Sequence, residues 1–424
     1  MTHFGILCPA KTGHLNTMLP LGRELQRRGH RVTLFGIADV QSKTLAAGLD
    51  FWRIGETEFP LGIAAQSLVQ LGKLSGFAAL RYNLNLIQQE AAMVLRDAPK
   101  ALKEAGVEAL LVNQMTLEGG SIAEFLDIPF ITVCSALPLN QEDGVPPFVT
   151  SWSYNPARWA YLRNQAAYSL LNRIAQPIEK LINEYRRSWN LPPCYDVNAS
   201  YSKLAQLSQI PAEFDFPRQH LPQCFHFTGP YHESASREAV PFPWEKLTGQ
   251  PLIYASMGTI QNRLIDVFQR IAQACDGLDV QLVISLGGGN LDSFKELPGK
   301  PLVVKYAPQM ELLKQASLTI THAGLNTVLE SLNNGVPMVA IPITSDQPGT
   351  AARLAWTGAG VTVPLTKLSV SKLRVAIQEV LSQDSYKNSA SRLQAAIQRA
   401  GGVRGAADIV ELAISKEKPV LTTV

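Results

Sequence analysis

The sequence has few cysteines and none of the spacings that build a disulfide framework or a zinc site. Its 424 residues include five cysteines, and no two of them stand at CxxC spacing. A reducing cytosol is therefore the expected compartment. No stretch of about 18 uninterrupted apolar residues occurs, so no transmembrane helix is expected. The short apolar run of MTHFGILCPA has no basic segment before it, so no signal peptide is expected either.

Charge of either sign is also scarce. Charged residues make up 17% of the chain, and 38 Lys and Arg against 35 Asp and Glu leave a net charge of +3. A balance so close to neutral gives no general reason to expect nucleic-acid binding. Hydrophobic residues reach 46%, which excludes a mainly disordered chain. At roughly 150 residues per domain, the length predicts two or three domains, and two large α/β domains fit best.

Short apolar segments alternate with helical periods along the chain. HFGILCPA predicts a buried strand, the segment that follows has the period of a helix closed by Gly29, and RVTLFGIA predicts a second strand. This order requires a parallel sheet with a right-handed crossover. Further along, 79–105 and 156–188 are predicted helices, the second broken near Pro177.

A proline-rich segment without periodicity separates two such alternations. The predicted divisions are an N-terminal domain at 1–230, a linker at 231–248, a C-terminal domain at 249–400 and a closing helix at 401–424 that packs back on the first domain. The expected fold class is α/β, with two doubly wound Rossmann-like domains facing across a cleft. Ligands of such folds bind at the carboxyl ends of the strands.

The densest polar cluster lies at one strand-to-helix junction of the second half. The predicted strand LTIT leads into His322 and Gly324, and a helix begins near Asn326. The free N–H groups and positive dipole end of such a helix attract phosphate. Thr327 adds a short donor in the first turn, and Glu330 lies one turn further on, where a carboxylate suits a ribose diol. The junction therefore predicts a nucleotide site.

The motifs around this junction resemble the signature of the UDP-glycosyltransferase family. They are YAPQ at 306–309, THAGLNTVLE at 321–330, GVP at 335–337 and PITSDQ at 342–347. Within that family, the segments FHFTGP, FPWEKL and PFITVC look most similar to bacterial carotenoid (zeaxanthin) glucosyltransferases. The resemblance implies the GT-B fold, with the acceptor bound by the N-terminal domain and the nucleotide sugar by the C-terminal domain.

The resemblance also implies a donor site for a UDP-sugar, with glucose favoured. Tyr306 would stack on the uracil, Ala307 would read the base through its backbone, and Glu330 would bind the ribose. Asp346 and Gln347 would hold the donor sugar. The remaining implied donor-binding residues are Gly13, Ser256, Gly258, Thr259, Gln309, His322, Gly324, Asn326 and Thr327.

His14 takes the position of the family's base, just after the first strand. The carboxylate that orients this histidine in the family is expected after LLV, where this chain has Asn113. Three accounts stay open. Asn113 orients a weaker base, or an acid such as Glu118, Glu142 or Asp143 takes over the role. In the third account, the protein binds both substrates without efficient transfer.

The expected reaction needs no metal and no cofactor besides the UDP-sugar. The chain has no DxD pair, which disfavours the metal-dependent transfer of the other common glycosyltransferase fold. Direct displacement by one nucleophile inverts the anomeric centre. We therefore expect an inverting transferase that moves a hexose to a hydroxyl of a hydrophobic acceptor such as a carotenoid, polyketide, flavonoid or sterol. The alternatives are a nucleotide-sugar epimerase or hydrolase on the same fold, and a catalytically weak lipophile-binding homologue.

Aromatic residues in the less regular stretches of the first half predict the acceptor pocket. The predicted acceptor-binding residues are Phe59, Tyr82, Phe148 and Trp152. Arg158 and Arg163 lie among further aromatics, a mixture typical of helices that contact a membrane surface. The expected localisation is cytoplasmic, with peripheral membrane contact as an added hypothesis.

Overall fold

The structure, a computed structural model, describes residues 1–71, 74, 76–231, 240–258, 265–289, 291–294 and 296–422. These residues form two α/β domains, each built on a parallel sheet with helices on both faces. The predicted fold class is confirmed.

The N-terminal sheet has seven strands in the order β3-β2-β1-β4-β5-β6-β7. Its strands are β1 (His3–Leu7), β2 (Arg31–Gly36), β3 (Asp50–Arg53), β4 (Ala109–Asn113), β5 (Phe130–Cys134), β6 (Gln206–Ser208) and β7 (Phe225–Phe227). The helices around it are α1 (Thr12–Arg27), α2 (Gln41–Ala46), α3 (Ile63–Leu71), α4 (Gly76–Ala105), α5 (Gly119–Leu126) and α6 (Arg158–Ser188). Strands β1 and β4 are buried along their whole length, as near-continuous apolar runs in a parallel sheet should be.

The predicted break at Pro177 is wrong, because α6 runs through it. A proline inside a helix removes one hydrogen bond and crowds the carbonyl four residues earlier. Here the ring lies on the solvent side, where water can satisfy the freed carbonyl. The next turns are held by Ile178 and Ile182, which pack into the N-terminal core. Tertiary packing therefore outweighs the local preference of the proline.

The C-terminal sheet has six strands in the order β10-β9-β8-β11-β12-β13. Its strands are β8 (Leu252–Ser256), β9 (Gln281–Ser285), β10 (Leu302–Val304), β11 (Ala316–Thr321), β12 (Met338–Ala340) and β13 (Gly360–Thr362). The remaining helices are α7 (Ile265–Cys275), α8 (Gln309–Leu313), α9 (Leu325–Asn333), α10 (Gln347–Trp356), α11 (Val370–Ser382), α12 (Asp384–Arg399) and α13 (Gly402–Lys416). No described helix is both long enough and apolar enough to cross a membrane.

Helix α13 packs on α1, in the other half of the chain. Ala407, Val410 and their neighbours share a core with the apolar face of α1. Arg28 on α1 reaches the carboxylates of Asp408 and Glu411, each at 2.6 Å. The two chain segments that connect the domains also contact each other, because the backbone N–H of Gly402 donates to the carbonyl of Thr228 at 2.7 Å.

A buried ion pair and a close backbone contact join the domains on one side of the cleft. The guanidinium of Arg353 on α10 bonds the carboxylate of Asp215 at 2.6 Å, and Arg218 bonds the other oxygen of that carboxylate at 2.7 Å. Nearby, a Cβ at Gly349 would lie 2.0 Å from the carbonyl oxygen of Phe148, so this contact requires glycine.

Candidate active site

Three neighbouring strands of the N-terminal sheet bring a histidine, an amide and a hydroxyl together. His14 lies in the first turn of α1 after β1, Asn113 ends β4 and Ser135 follows β5. Because β1, β4 and β5 are parallel neighbours, their carboxyl ends meet at one edge. The Oγ of Ser135 lies 2.5 Å from Nδ1 of His14 and 2.8 Å from the amide nitrogen of Asn113.

The amide of Asn113 has a defined orientation. Its Oδ1 accepts the backbone N–H of Met115 at 3.1 Å, so its NH₂ group is the end that donates to Ser135. Asn113 is fully buried, and Ser135 is nearly so. Sequence reasoning predicted Asn113 beside His14 but missed Ser135. The available signal was a serine directly after a buried strand, at the edge where parallel-sheet ligands bind.

His14 stays neutral at physiological pH. Its pKa is lowered to about 4, mainly by burial and also by the neighbouring Lys11, while a hydrogen bond with Asn113 acts in the opposite direction. Within the described residues, none of the three acids proposed as substitutes hydrogen-bonds to His14. Glu142, for example, accepts the amide of Gln219 at 2.7 Å. Burial raises the pKa of Glu118 to about 7.

On the donor side, two glycines leave room for the ring of His322. A Cβ at Gly258 would lie 2.6 Å from the ring, and one at Gly324 would lie 2.5 Å from it. Burial lowers the pKa of His322 to about 4, partly offset by the backbone of Ser256. The ring therefore offers a hydrogen bond rather than a charge. Its buried Nδ1 has no partner among the described residues.

The start of α9 faces the N-terminal domain across the cleft. Gly324 caps this helix without a side-chain hydrogen bond, which leaves the N–H groups of the first turn for a ligand. The side-chain Nδ2 of Asn326 donates to the backbone carbonyl of Gly13 at 3.1 Å. Gln209, which sequence reasoning did not identify, donates to Oδ1 of Asn326 at 3.1 Å and to the carbonyl of Ser135 at 2.7 Å. The residues around His14 in the N-terminal domain and the start of α9 in the C-terminal domain are thus in direct contact.

A fixed carboxylate lies one turn along α9. Nε2 of Gln309 is 2.5 Å from Glu330, and the hydroxyl of Tyr254 donates to Oε1 of Gln309 at 2.9 Å. Thr327 lies on the same helix, 3.5 Å from Nε2 of Gln309. Tyr306, just before α8, is 48% exposed, so its ring is accessible for stacking. The structure brings Gln309, Thr327 and Glu330 together, and the roles of these residues and of Tyr306 stay predictions.

The predicted sugar-binding pair lies at the start of α10. The Oε1 of Gln347 accepts the backbone N–H groups of Ile343 and Thr344 at 2.9 and 3.0 Å. This orientation leaves the NH₂ group of Gln347 as the end that can donate to a sugar hydroxyl. Burial raises the pKa of Asp346. Ser256 ends β8, and Thr259 lies outside the described residues.

The predicted acceptor-binding residues occupy different environments. Phe59 is 5% exposed and belongs to the N-terminal core, whereas Tyr82 is half-buried on α4. The carbonyl of Phe148 faces α10, and the ring of Trp152 lies under the guanidinium of Arg163 at 4.3 Å. The structure therefore places Phe59 in a packing role, and acceptor binding by all four stays a prediction. The described part of the chain has no cluster of three His, Cys, Asp or Glu that could hold a metal.

Comparison with known proteins gives a consistent result. A family model described as "UDP-glucoronosyl and UDP-glucosyl transferase" matches residues 69–399. The chain is 32% identical to the zeaxanthin glucosyltransferase of Pantoea ananas, over all of this chain and 98% of that protein. It is 31% identical to the zeaxanthin glucosyltransferase of Pseudescherichia vulneris, over 99% of this chain and all of that protein. Among solved structures, the glycotransferase of kitacinnamycin superposes with a TM-score of 0.77 at 21% identity, covering 97% of this chain and 99% of the other.

Proposed function

Because this chain belongs to the UDP-glucoronosyl and UDP-glucosyl transferase family, we propose that it moves a hexose from a UDP-sugar to a hydroxyl of a hydrophobic small molecule. Membership makes it a UDP-sugar-dependent glycosyltransferase. The proposal adds glucose as the favoured sugar and a carotenoid alcohol as the favoured acceptor class. Its support is the full-length similarity to two zeaxanthin glucosyltransferases.

The observation that carries the proposed chemistry is the meeting of His14 with the start of α9. The carbonyl of Gly13, the residue before His14, accepts a hydrogen bond from the side chain of Asn326 in the first turn of α9, the helix start that suits a diphosphate. In the proposed step, the acceptor oxygen attacks the anomeric carbon, Nε2 of His14 takes its proton, and the bond to the UDP oxygen breaks. The departing diphosphate keeps the electron pair and is stabilised by the free amides of α9 and by a hydrogen bond from His322.

The proposed stereochemistry and metal independence follow from this arrangement. One displacement at the anomeric carbon inverts it, so an α-linked donor gives a β-glycoside. The amide-rich helix start supplies positive potential where the charge of UDP develops, and we propose that the reaction needs no metal ion. Turnover in the presence of a chelator, with product anomers assigned by NMR, tests both statements. Loss of activity on chelation, restored by Mg²⁺, would contradict the second.

The experiment that tests the function is turnover of UDP-glucose with zeaxanthin, followed by UDP release and product mass. His14→Ala should lower transfer by about 10²–10⁴-fold, because general base catalysis contributes that much. UDP affinity, measured by titration calorimetry, should change less than twofold. His220→Ala replaces an exposed histidine and is the matched control. Equal loss of UDP affinity and transfer in His14→Ala would mean that His14 has a structural role.

A weak or non-catalytic lipophile-binding role is the second candidate. One observation favours it: His14 is held by a hydroxyl that an amide anchors, and no carboxylate of the described residues hydrogen-bonds to its ring. Saturable zeaxanthin binding without UDP release would support this role. Turnover that exceeds hydrolysis of UDP-glucose by water alone would exclude it.

We also propose peripheral membrane contact through the first half of α6. Trp159, Leu162 and Leu170 are 58%, 53% and 59% exposed, and their spacing puts them on one stripe of the helix. Residues 158–178 contain three arginines and no Asp or Glu. This combination suits the interface of an anionic bilayer, where a lipophilic acceptor would dissolve.

Co-sedimentation with phosphatidylglycerol vesicles at low salt tests this contact. Leu162→Ser with Leu170→Ser should weaken binding about tenfold, while Leu412→Ser, which replaces an exposed leucine on α13, should leave it unchanged. Absence of binding by the unaltered protein would rule out the contact.

A further inference from the structure

We propose that Ser135 is the positioning residue of the base: its hydroxyl oxygen, anchored by Asn113, accepts the Nδ1 proton of His14 and leaves Nε2 free for the acceptor's proton. The inference rests on the proposed function for the role of Nε2. It assigns to Ser135 the place that a charged side chain would otherwise fill.

The geometry around Ser135 is well defined. The residue directly follows β5 and is 5% exposed, and its Oγ lies 2.5 Å from Nδ1 of His14. Its carbonyl accepts Nε2 of Gln209 at 2.7 Å, and the same nitrogen reaches Asn326 of the other domain. Both the side chain and the backbone of Ser135 are thus held, so the ring of His14 rests on a fixed support.

The count of protons leaves two tautomers of His14 open on this support, and the proposal selects one of them. A hydroxyl oxygen has one proton to donate and two lone pairs to accept with. Asn113 must donate to it, because the other end of its amide is occupied by the N–H of Met115. In the proposed arrangement, the second lone pair accepts Nδ1–H of His14 and the hydroxyl proton turns away from the ring. If the hydroxyl instead donated to Nδ1, the ring proton would sit on Nε2, and that nitrogen could not act as a base.

The support differs from a carboxylate because it carries no charge. It orients the ring without stabilising the imidazolium, and the charged group that acts most on His14 is the cation Lys11. Burial raises the pKa of Glu90, and Lys11 also interacts with that carboxyl, lowering its pKa against the effect of burial. The neutral form of His14 is therefore the resting form, and its tautomer becomes the property that controls activity.

The first test measures the tautomer directly. Long-range ¹H–¹⁵N spectra of the full chain, labelled at histidine, distinguish a protonated Nδ1 from a protonated Nε2. The signals of residue 14 are identified by their loss in His14→Ala. At pH 7 we expect the Nδ1–H tautomer in the unaltered protein. A dominant Nε2–H tautomer would overturn the proposal, whatever the enzymatic activity.

The second test uses variants. Ser135→Ala should lower kcat about 10–100-fold, part of the contribution of a general base, with the Kd for UDP changed less than twofold. Ser135→Thr keeps the hydroxyl and should restore kcat to within about threefold. Ser208→Ala is the control, because Ser208 ends the adjacent strand β6 and its buried Oγ has no partner among the described residues. In a protein that transfers sugar, equal rates for Ser135→Ala and Ser208→Ala would overturn the proposal.

The two tests separate this inference from the proposed function. A tautomer mixture that appears only on Ser135→Ala supports the positioning role even in a protein that transfers no sugar. If His14→Ala also keeps full activity, the base assignment fails while the positioning role stands. An unchanged tautomer in Ser135→Ala, in a protein whose His14→Ala variant is inactive, means that the base assignment stands and the positioning role fails.

Discussion

Asp215→Asn should destabilise the protein strongly, because it removes the counter-ion that two buried arginines share. The side chains of Asp215 and Arg353 are each 1% exposed and that of Arg218 is 4% exposed, so water cannot replace the lost charge. Removing one partner of a buried ion pair typically costs about 3–5 kcal/mol. The pair joins the two domains, so the loss should appear both in the urea midpoint and as an earlier separation of the domains.

The matched control is Arg399→Gln, which breaks an exposed ion pair between Arg399 at the end of α12 and Glu213, two residues before Asp215. Arg399 and Glu213 are 3.0 Å apart, but their side chains are 67% and 47% exposed. Such a pair contributes about 0–1 kcal/mol. Urea unfolding followed by tryptophan fluorescence compares the two variants. A loss in Asp215→Asn no larger than that in Arg399→Gln would refute the reasoning, because burial would then have no effect on the value of the pair.

The effect should depend on pH in one direction. Although burial opposes ionisation, Arg218 and Arg353 together keep the pKa of Asp215 below its usual value. A carboxyl whose pKa is lower in the folded state stabilises that state above its unfolded pKa and loses the contribution as pH falls through the folded one. The difference between the unaltered protein and Asp215→Asn should therefore be full at pH 7 and shrink below about pH 4.

Three further predictions concern the site. Gly324→Ala should weaken UDP binding at least about tenfold, because its Cβ would displace the ring of His322. Gly405→Ala on α13, where the nearest neighbouring atom would lie 3.9 Å from the new Cβ, should leave the affinity unchanged. Equal UDP affinities of the two variants in titration calorimetry would count against this position of the ring. Tyr306→Ala should lose about 1–3 kcal/mol of UDP affinity and Tyr306→Trp should retain it, which the same titrations measure. Asn113→Asp should raise kcat and shift the acid limb of the pH profile of kcat to higher pH. A carboxylate at position 113 would accept the hydroxyl proton of Ser135 and stabilise the imidazolium of His14. An unchanged pH profile would exclude an interaction between residue 113 and His14.

The fold was largely predictable from the sequence because its long elements have strong periods. The predicted helices at 79–105 and 156–188 match α4 and α6 closely. Strands β6, β7 and β13 escaped prediction, since each has only three residues and its segment lacks the continuous apolar run that marks a buried strand. The break predicted at Pro177 failed because local preference says nothing about the core packing of the turns that follow.

The site was predictable where motifs lie close together in the chain. The motifs from 306 to 347 come from one continuous stretch, and within it the structure brings Gln309, Thr327 and Glu330 into contact. Ser135 and Gln209 were missed because each contacts at least one partner that is more than 70 residues away in the chain. A lone serine or glutamine has no sequence pattern, so only the register of neighbouring strands shows what it contacts.

The contact between Gly402 and Thr228 has a consequence for motion. Two chain segments pass between the domains side by side, and a Cβ at Gly229 would lie 3.0 Å from that of Ala400. A pair of adjacent pivots permits rotation about the line through them and resists twisting about other axes. We therefore expect the two domains to separate by rotation about a hinge at these residues, which opens the cleft on the side opposite the hinge. A long, rod-shaped ligand could enter and leave there.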